Sequence, residues 1–276
     1  DLEDKELLKD DFLFLVYLKI KGLSGQLVAG DYLIRRDITP LQLIDTFTSG
    51  RIASVKITIP EGWTNERIAD YLEEKRITTK EDFLSATRKN YDYPFLAQKP
   101  AEKDLEGFLF PDTYQLSYKA TADEIVEKML ENFQKKVDAP LSKEISASGL
   151  SYYDLLKLAS VVEREVAKPE DRKVVAGIFL SRLDEGMPLE SCATIQYILK
   201  VNKTQFTYEE TRTPSPYNTY LNPGLPDGPI GNPGLESIKA VIYPTRTEFR
   251  YFLSADGTTY FSKTFPEHEE KKLKYL

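Results

Sequence analysis

Three helix patterns follow one another from residue 151 to residue 200, and this stretch constrains the fold of the chain most. The first pattern begins at Ser151, because a serine followed three residues later by Asp154 has the form of a helix N-cap. Its interior contains no glycine or proline before Pro169. Apolar side chains recur there at helical spacing, at Leu155, Leu158, Ala159, Val162 and Val166. The sequence therefore predicts an amphipathic helix.

Two glutamates, Glu163 and Glu165, flank this apolar stripe on opposite edges, since successive helical residues are rotated by about 100°. Arg164 is predicted to project away from the stripe. Glu165 shares its edge with Leu158 and Val161, where loss of water would raise a carboxyl pKa, as a general acid near neutral pH requires. Glu163 lies beside small residues that allow another backbone to approach. The spacing alone favours two solvated charges on a helix rim, which is the common state of glutamate.

The second and third helix patterns complete the stretch. Pro169 and the acidic residues after it predict a helix start, and Gly186 predicts its end. Ser191 is predicted to cap a short third helix that continues through Leu199. Three such helices can pack side by side and present the rim of the first helix to a groove.

The composition excludes several classes of function. The chain has 276 residues, 41% of them hydrophobic and 29% charged, which is typical of a soluble globular protein. Its net charge of -7 argues against a protein that mainly binds nucleic acid. One cysteine, Cys192, and one histidine, His268, leave no internal disulfide and no common zinc pattern, and disfavour a Cys–His catalytic pair. Because no phosphate-binding glycine loop is present either, carboxylate chemistry or plain binding remains.

The first hundred residues alternate short helices and strands, which predicts a small αβ module over residues 1–100 and a second domain over residues 101–276. The predicted elements are helices over residues 3–20, 39–47, from 64 and from 78–79, and strands over 27–34 and 55–59. No segment approaches the roughly 18 apolar residues of a membrane span. Since the chain begins at Asp1 without a methionine, we expect a longer parent protein with any membrane segment outside this chain.

A proline- and glycine-rich segment lies between the three helices and the C-terminal elements. Residues 213–234 contain six prolines and four glycines, interleaved with apolar side chains that can anchor them. The composition alone is also that of a disordered linker. We expect an ordered loop that forms part of a site, because long loops inside compact domains are commonly functional. Around it the pattern predicts helices over residues 121–137, 232–242 and 267–276 and a hairpin over residues 249–254 and 258–261.

Six sequence blocks resemble one known family, the membrane-anchored endolytic murein transglycosylases, also called MltG or YceG-like. The blocks are EGFLFPDTY at 106–114, LASVVEREV at 158–166, VAGIFLSRLDEGMPL at 175–189, YNTYLNPG at 217–224, and residues 228–240 and 251–263. They cover residues 101–276 in order, with a weaker likeness over residues 30–87. The resemblance implies an α+β fold in which a small LysM-like αβ module precedes a mixed helical and β catalytic domain.

The resemblance also assigns the two glutamates of the first helix. The second glutamate of the family's Glu-x-Glu element is catalytic, and Glu165 occupies that position. Glu163 matches the first glutamate, with a structural or site-polarising role; we favour structural support through an ion pair with Arg172 or Arg182.

Further residues correspond to a wall that contacts sugar. Tyr217, Asn218 and Tyr220 match the family's Tyr-Asn-Thr-Tyr block, and amide and aromatic groups suit acetamido sugars. For Tyr217 and Tyr220, packing in the core is an alternative that the sequence favours as much as contact with sugar. Many relatives have Ser-Asp-Pro-Thr where this chain has Ser191-Cys192-Ala193-Thr194. We therefore expect a site with one acid, in which Thr194 and Gln196 contact substrate or Glu165 and the cysteine has no chemical role.

The activity implied by the resemblance is cleavage of the β-1,4 bond between N-acetylmuramic acid and N-acetylglucosamine inside peptidoglycan strands, leaving 1,6-anhydromuramyl ends. It implies no cofactor or metal and no nucleic acid partner. It also implies an anchor in the cytoplasmic membrane, an extracytoplasmic catalytic domain, penicillin-binding proteins of the elongation machinery as partners, and termination of nascent strands. Two alternatives are a non-catalytic wall-binding scaffold and a muramidase that uses water.

Overall fold

The computed structural model describes residues 2, 5, 7–8, 11–30, 32–49, 54–203 and 205–275. It contains two compact units, one formed by Asp1–Ile57 with Thr113–Ala120 and the other by Thr58–Asp112 with Thr121–Leu276. Helices dominate both, and the strands form two small two-stranded sheets in the described residues, so the predicted α+β class is confirmed. The division into a binding module and a catalytic domain at residue 100 stays a prediction.

The first unit packs two helices over a small apolar core. Helix α1 spans Asp11–Ile20, helix α2 spans Pro40–Thr48, and strands β1 (Ser54–Thr58) and β2 (Thr113–Ser117) form its sheet. The N-cap of α2 is Thr39, in a full capping box with proline in the first turn. The buried core residues are Phe14, Leu18, Leu43 and Ile44. The helix predicted over residues 3–20 is thus confirmed from residue 11 onward. It is wrong at residues 5, 7 and 8, which are not helical, and the rest of its start lies outside the described residues.

The strand predicted over residues 27–34 is wrong where the structure describes that segment, which has no regular structure. Leu33 is 74% exposed. The N–H of Val28 donates to the carbonyl oxygen of Phe47 at 3.0 Å, so it bonds to the end of α2 and not to a strand. Alternating apolar residues form a strand only where a partner strand satisfies the backbone. Asp31, within this predicted strand, lies outside the described residues.

The second unit is mainly helical. Its α-helices are α3 Asn65–Glu74, α4 Lys80–Ala86, α5 Ala122–Phe133, α6 Ala139–Ala147, α7 Tyr152–Glu165, α8 Pro169–Asp184, α9 Cys192–Leu199, α10 Leu235–Ile242 and α11 Phe265–Tyr275. Strands β3 (Tyr251–Ala255) and β4 (Thr258–Ser262) form the predicted antiparallel hairpin. Helix α6, which carries proline in its first turn, was not predicted. No helix in the described parts of the chain is long and apolar enough to cross a membrane.

Helix α7 is the centre of the second unit. Its N-cap is Ser151, whose hydroxyl accepts the N–H of Asp154 at 3.0 Å, as predicted. Helices α8, α9 and α10 pack against it. The apolar residues of its middle turns are fully buried, namely Leu155, Leu156, Leu158, Ala159, Val161 and Val162. The helix is therefore enclosed on more sides than an amphipathic surface helix.

Candidate active site

Glu165 is the last residue of α7 and lines a cavity of about 870 Å³ in the second unit. The next residue, Val166, has an extended backbone (φ -138°, ψ 134°), so the helix stops at the cavity. The cavity is lined by groups from α7, α8, α9, the β3 strand and α11. Its size suits a ligand larger than a single small metabolite. The prediction that the rim of α7 faces a groove is confirmed for Glu165.

Two hydrogen bonds orient the carboxylate of Glu165. Its Oε1 atom accepts the hydroxyl of Ser191 and, at 3.2 Å, the backbone N–H of Ala193 in the first turn of α9. Burial is the largest influence on the carboxyl and raises its pKa above the ordinary value, whereas the two hydrogen bonds and the charges of Arg164 and Arg182 oppose this rise. The predicted direction of the pKa shift is confirmed. A carboxyl with a raised pKa can hold a proton nearer to neutral pH and donate it to a ligand oxygen.

Ser191 does not cap α9 through its side chain, so this part of the prediction is wrong. The hydroxyl points instead to Glu165, and the N–H of Ser191 donates to Thr219 Oγ1 at 3.0 Å. Thr194 is fully buried, and its hydroxyl donates to the carbonyl oxygen of Ser191 at 2.7 Å and lies 3.1 Å from Thr219 Oγ1. The hydroxyl of Thr194 therefore holds the backbone of Ser191 in place. It does not make the predicted contact with substrate or with Glu165.

The sequence predicts that Arg164 projects away from the apolar stripe, and in the structure that side of α7 is not open to solvent. Arg164 is partly buried, and its guanidinium donates to the carbonyl oxygen of Ile230 at 3.0 Å and to Gln196 Oε1 at 3.2 Å. The reason is that the proline-rich loop covers this side of α7. Gln196 lines the cavity and also donates to the carbonyl oxygen of Lys203 at 2.9 Å. Its amide thus orients Arg164 and not the carboxylate of Glu165.

Glu163 holds the proline-rich loop to α7. Its side chain is only 5% exposed, and it pairs with Arg172 at 2.7 Å, the first of the two predicted partners. Its Oε2 atom accepts the N–H of Gly234 at 2.9 Å. Gly62 also approaches, since a Cβ atom there would lie 3.4 Å from the Cγ atom of Glu163. The predicted pairing and the close backbone are confirmed, and the alternative of a solvated rim charge is wrong for Glu163.

The predicted sugar-contacting wall is only partly on the cavity surface. Tyr220 lines the cavity, and its hydroxyl lies 3.1 Å from the sulfur of Cys192, which lines the cavity too. Asn218 is fully buried. Its amide nitrogen donates to two backbone carbonyl oxygens, and its oxygen accepts the N–H of Tyr220 at 2.9 Å. Tyr217 stacks obliquely on Tyr197 with ring centroids 5.0 Å apart. Asn218 therefore stabilises the wall from behind, which corrects its predicted role.

Several cavity residues were not found by sequence reasoning. Arg182, considered only as a partner of Glu163, is 5% exposed and donates to the carbonyl oxygens of Leu189 at 2.7 Å and Arg250 at 2.9 Å. Ser254 of β3 donates to the backbone carbonyl of Glu165 at 3.2 Å. Both residues are distant from α7 in sequence, so no local signal connected them to it. Among the described residues, no group of three or more histidine, cysteine, aspartate or glutamate side chains is placed to hold a metal ion.

The fold and the site together define an α+β protein with a cavity that is lined by a partly buried, hydrogen-bonded carboxyl group. The chain matches the model of the YceG-like family over residues 1–274, and it belongs to that family. This finding confirms the resemblance that the six sequence blocks indicate.

Two curated relatives and one solved structure are similar to this chain. The endolytic murein transglycosylase of Bacillus subtilis (strain 168) is 32% identical over 290 residues, covering 100% of this chain and 80% of that protein. The protein of the same name from Streptococcus pneumoniae serotype 2 (strain D39 / NCTC 7466) is 30% identical over 306 residues, and this chain spans 55% of its length. A crystal structure of a YceG-like protein from Listeria monocytogenes has a TM-score of 0.69 and 32% identity, covering 98% of this chain and 92% of that one.

Proposed function

We propose that this chain is an endolytic murein transglycosylase that cleaves the β-1,4 bond between N-acetylmuramic acid and N-acetylglucosamine inside peptidoglycan strands. The observation that carries the proposal is Glu165, a carboxyl with a raised pKa that faces a cavity of about 870 Å³. The names of the Bacillus and Streptococcus relatives support it. The second unit, with residues 101–276 as its catalytic part, would perform the reaction.

In this mechanism, protonated Glu165 donates its proton to the glycosidic oxygen. The bond between this oxygen and the muramyl C1 atom breaks, and its electron pair stays with the leaving oxygen. The muramyl 6-hydroxyl oxygen then bonds to C1, and its proton passes to the Glu165 carboxylate, which restores the acid. The product is a 1,6-anhydromuramyl end, and no water is consumed.

The surroundings of Glu165 suit both protonation states that this cycle needs. Burial favours the protonated form before the bond breaks. The hydroxyl of Ser191 and the N–H of Ala193 stabilise the carboxylate that is left after proton transfer, because both donate to it. The guanidinium groups of Arg164 and Arg182 stabilise the same negative charge. Glu163 would act as structural support, through Arg172 and Gly234.

Mass spectrometry of the fragments released from purified peptidoglycan strands tests this function. Wild-type protein is expected to leave anhydromuramyl ends, and Glu165→Gln is expected to leave none. Glu185→Gln is the matched control, because Glu185 is an exposed glutamate paired with Arg250 outside the cavity. Reducing ends would instead support the muramidase, which needs a second carboxylate to deliver water. Equal cleavage by wild type and Glu165→Gln would refute the role of Glu165, and binding without cleavage by folded wild type would support the scaffold.

The biological setting is proposed from the family resemblance alone. Residues 1–100 would be a LysM-like module that seats glycan or a partner. The parent protein would cross the cytoplasmic membrane once, with the catalytic domain outside. Penicillin-binding proteins of the elongation machinery would be its partners, and its cleavage would end nascent strands. Co-purification of the full-length protein with these synthases tests the partnership.

A further inference from the structure

Besides Glu165, the cavity is lined by the glutamates Glu190 and Glu269, and the mechanism above uses neither. Glu190 immediately precedes Ser191, the residue that donates to Glu165. Its side chain is 49% exposed, whereas both neighbours along the chain, Leu189 and Ser191, are at most 2% exposed. Glu190 is thus an accessible residue between two buried ones, and it lines the same cavity as Glu165.

The backbone of Glu190 is strained in a way that the surrounding structure enforces. Its φ angle is +52°, in the left-handed region that residues other than glycine rarely adopt. Its N–H donates to the carbonyl oxygen of Thr219 at 3.0 Å, and the carbonyl oxygen of Leu189 is fixed by Arg182 at 2.7 Å. Left-handed residues that are neither glycine nor asparagine persist where neighbouring contacts over-determine them, and they concentrate at functional sites.

The carboxylate of Glu190 lies near the guanidinium of Arg182 without forming a hydrogen bond to it. Its Oε2 atom lies 3.7 Å from Arg182 Nη1, which is beyond hydrogen-bonding distance. In the described residues no hydrogen bond to the Glu190 carboxylate is formed, whereas Arg182 directs its N–H groups to backbone carbonyls. Glu190 therefore offers free acceptor oxygens to the cavity, and Arg182 keeps this negative charge in place.

We propose that Glu190 is a substrate-contacting residue, which accepts hydrogen bonds from hydroxyl or amide N–H groups of the glycan beside the bond that Glu165 cleaves. Sugar hydroxyls and acetamido N–H groups are neutral donors, and a carboxylate acceptor makes the stronger, charge-assisted kind of hydrogen bond with them. The negative charge of Glu190 also repels anionic groups of the ligand, so we expect neutral hydroxyl and acetamido groups to lie against it. This inference rests on the proposed function and deepens it.

Two variants of the whole chain test the inference, with KM, kcat and Tm measured on glycan strands from which the stem peptides have been removed. Glu190→Gly removes the acceptor and relieves the left-handed strain, so Tm is expected to hold or rise while KM rises about tenfold. Glu190→Gln keeps one acceptor oxygen without the charge and is expected to raise KM about threefold. If Glu190 only balances the charge of Arg182, KM stays at the wild-type value and Tm falls in both variants, and the inference is overturned.

Binding of the same strands by titration calorimetry, in a Glu165→Gln background that does not cleave them, separates this inference from the proposed function. Weaker binding after Glu190→Gly supports the inference. Equal binding with and without Glu190→Gly overturns it and leaves the proposed function intact. Absence of strand binding in every variant overturns both. If Glu190→Gly fails to fold, Glu190→Gln decides alone, because it preserves the size and backbone conformation of the residue.

Discussion

Asn232 ties the proline-rich loop to the rest of the second unit, and its truncation should cost an unusually large part of the stability. The side chain is fully buried. Its oxygen accepts the N–H groups of Gly107 at 2.9 Å and Leu109 at 3.0 Å. Its amide nitrogen donates to the Trp63 carbonyl and to Asn65 Oδ1, both at 3.0 Å. One side chain thus joins three segments of the chain.

The expected loss of stability follows from the polar groups that Asn232→Ala would leave without a hydrogen-bond partner. The N–H groups of Gly107 and Leu109 would lose their acceptor in a buried site, and each such loss costs about 1–3 kcal/mol. We therefore expect the free energy of unfolding to fall by about 4 kcal/mol, where a whole domain is typically stable by about 5–15 kcal/mol. The Trp63 carbonyl keeps one donor, the backbone N–H of residue 232 at 2.9 Å, so it adds little to this loss.

Urea denaturation followed by circular dichroism measures this effect. With a slope near 3 kcal/mol per molar urea, the midpoint should fall by about 1.3 M at unchanged slope. Asn222→Ala is the matched control, because Asn222 also makes two hydrogen bonds to backbone within the same loop but is exposed, so water can replace it. Its midpoint should change by less than about 0.3 M. Equal shifts for the two variants would refute the reasoning that burial of the stranded N–H groups sets the cost.

Three further changes test the site and its packing. Ser191→Ala removes a hydrogen bond that favours the ionised form of Glu165, so the pKa of Glu165 should rise. The alkaline limb of the pH–rate profile should then move to higher pH. An unchanged limb would contradict Glu165 as the acid that this hydrogen bond tunes. Because burial raises the pKa of Glu165 in the folded state, protonated Glu165 stabilises the fold below its unfolded pKa near 4.5, and this contribution is lost as pH rises through the folded pKa. The Tm of Glu165→Gln should therefore rise relative to that of wild type as pH increases. A difference in Tm that grows towards acidic pH instead would contradict this sign. Gly177→Ala in α8 should lower Tm despite the helix propensity of alanine, because the new Cβ would lie 2.1 Å from the Thr245 carbonyl oxygen. A higher Tm would show that the backbone at Thr245 moves away at little cost.

Local sequence signals predicted the helices of the second unit well, since the groups that begin a helix are close together in the chain. Ser151 and Thr79 cap their helices as expected, and Pro169 lies in the first turn of α8. The apolar neighbours of Glu165 on the α7 surface followed from the 3.6-residue period. The spacing alone still favoured a solvated carboxyl, and the resemblance of the six blocks was needed to assign Glu165 as the acid. Arg172 and Arg182 were the two predicted ion-pair partners of Glu163, and the structure pairs it with Arg172.

The signals failed where a partner comes from a distant part of the chain. Ser191 has the form of a helix cap in sequence, but its hydroxyl bonds to a carboxylate 26 residues away. Asn218 has the chemistry of a sugar ligand, but the loop folds over it and its amide satisfies backbone groups. A polar side chain serves whichever groups burial leaves without water, and the sequence does not state which groups those are.

By itself the sequence determined the α+β class, the principal helices of the second unit, the family, and Glu165 as the residue with the environment of an acid. The helices and the apolar neighbours of Glu165 depend on periodicity and capping within about two turns of helix. The family and the acid role of Glu165 depend on the six ordered sequence blocks. Only the tertiary structure decided that Ser191 and Ala193 orient Glu165, that Arg182 and Glu190 share its cavity, and that Asn232 secures the loop behind it. Those contacts join segments that are far apart in the chain, and their free energy exists only when packing has excluded water from between them.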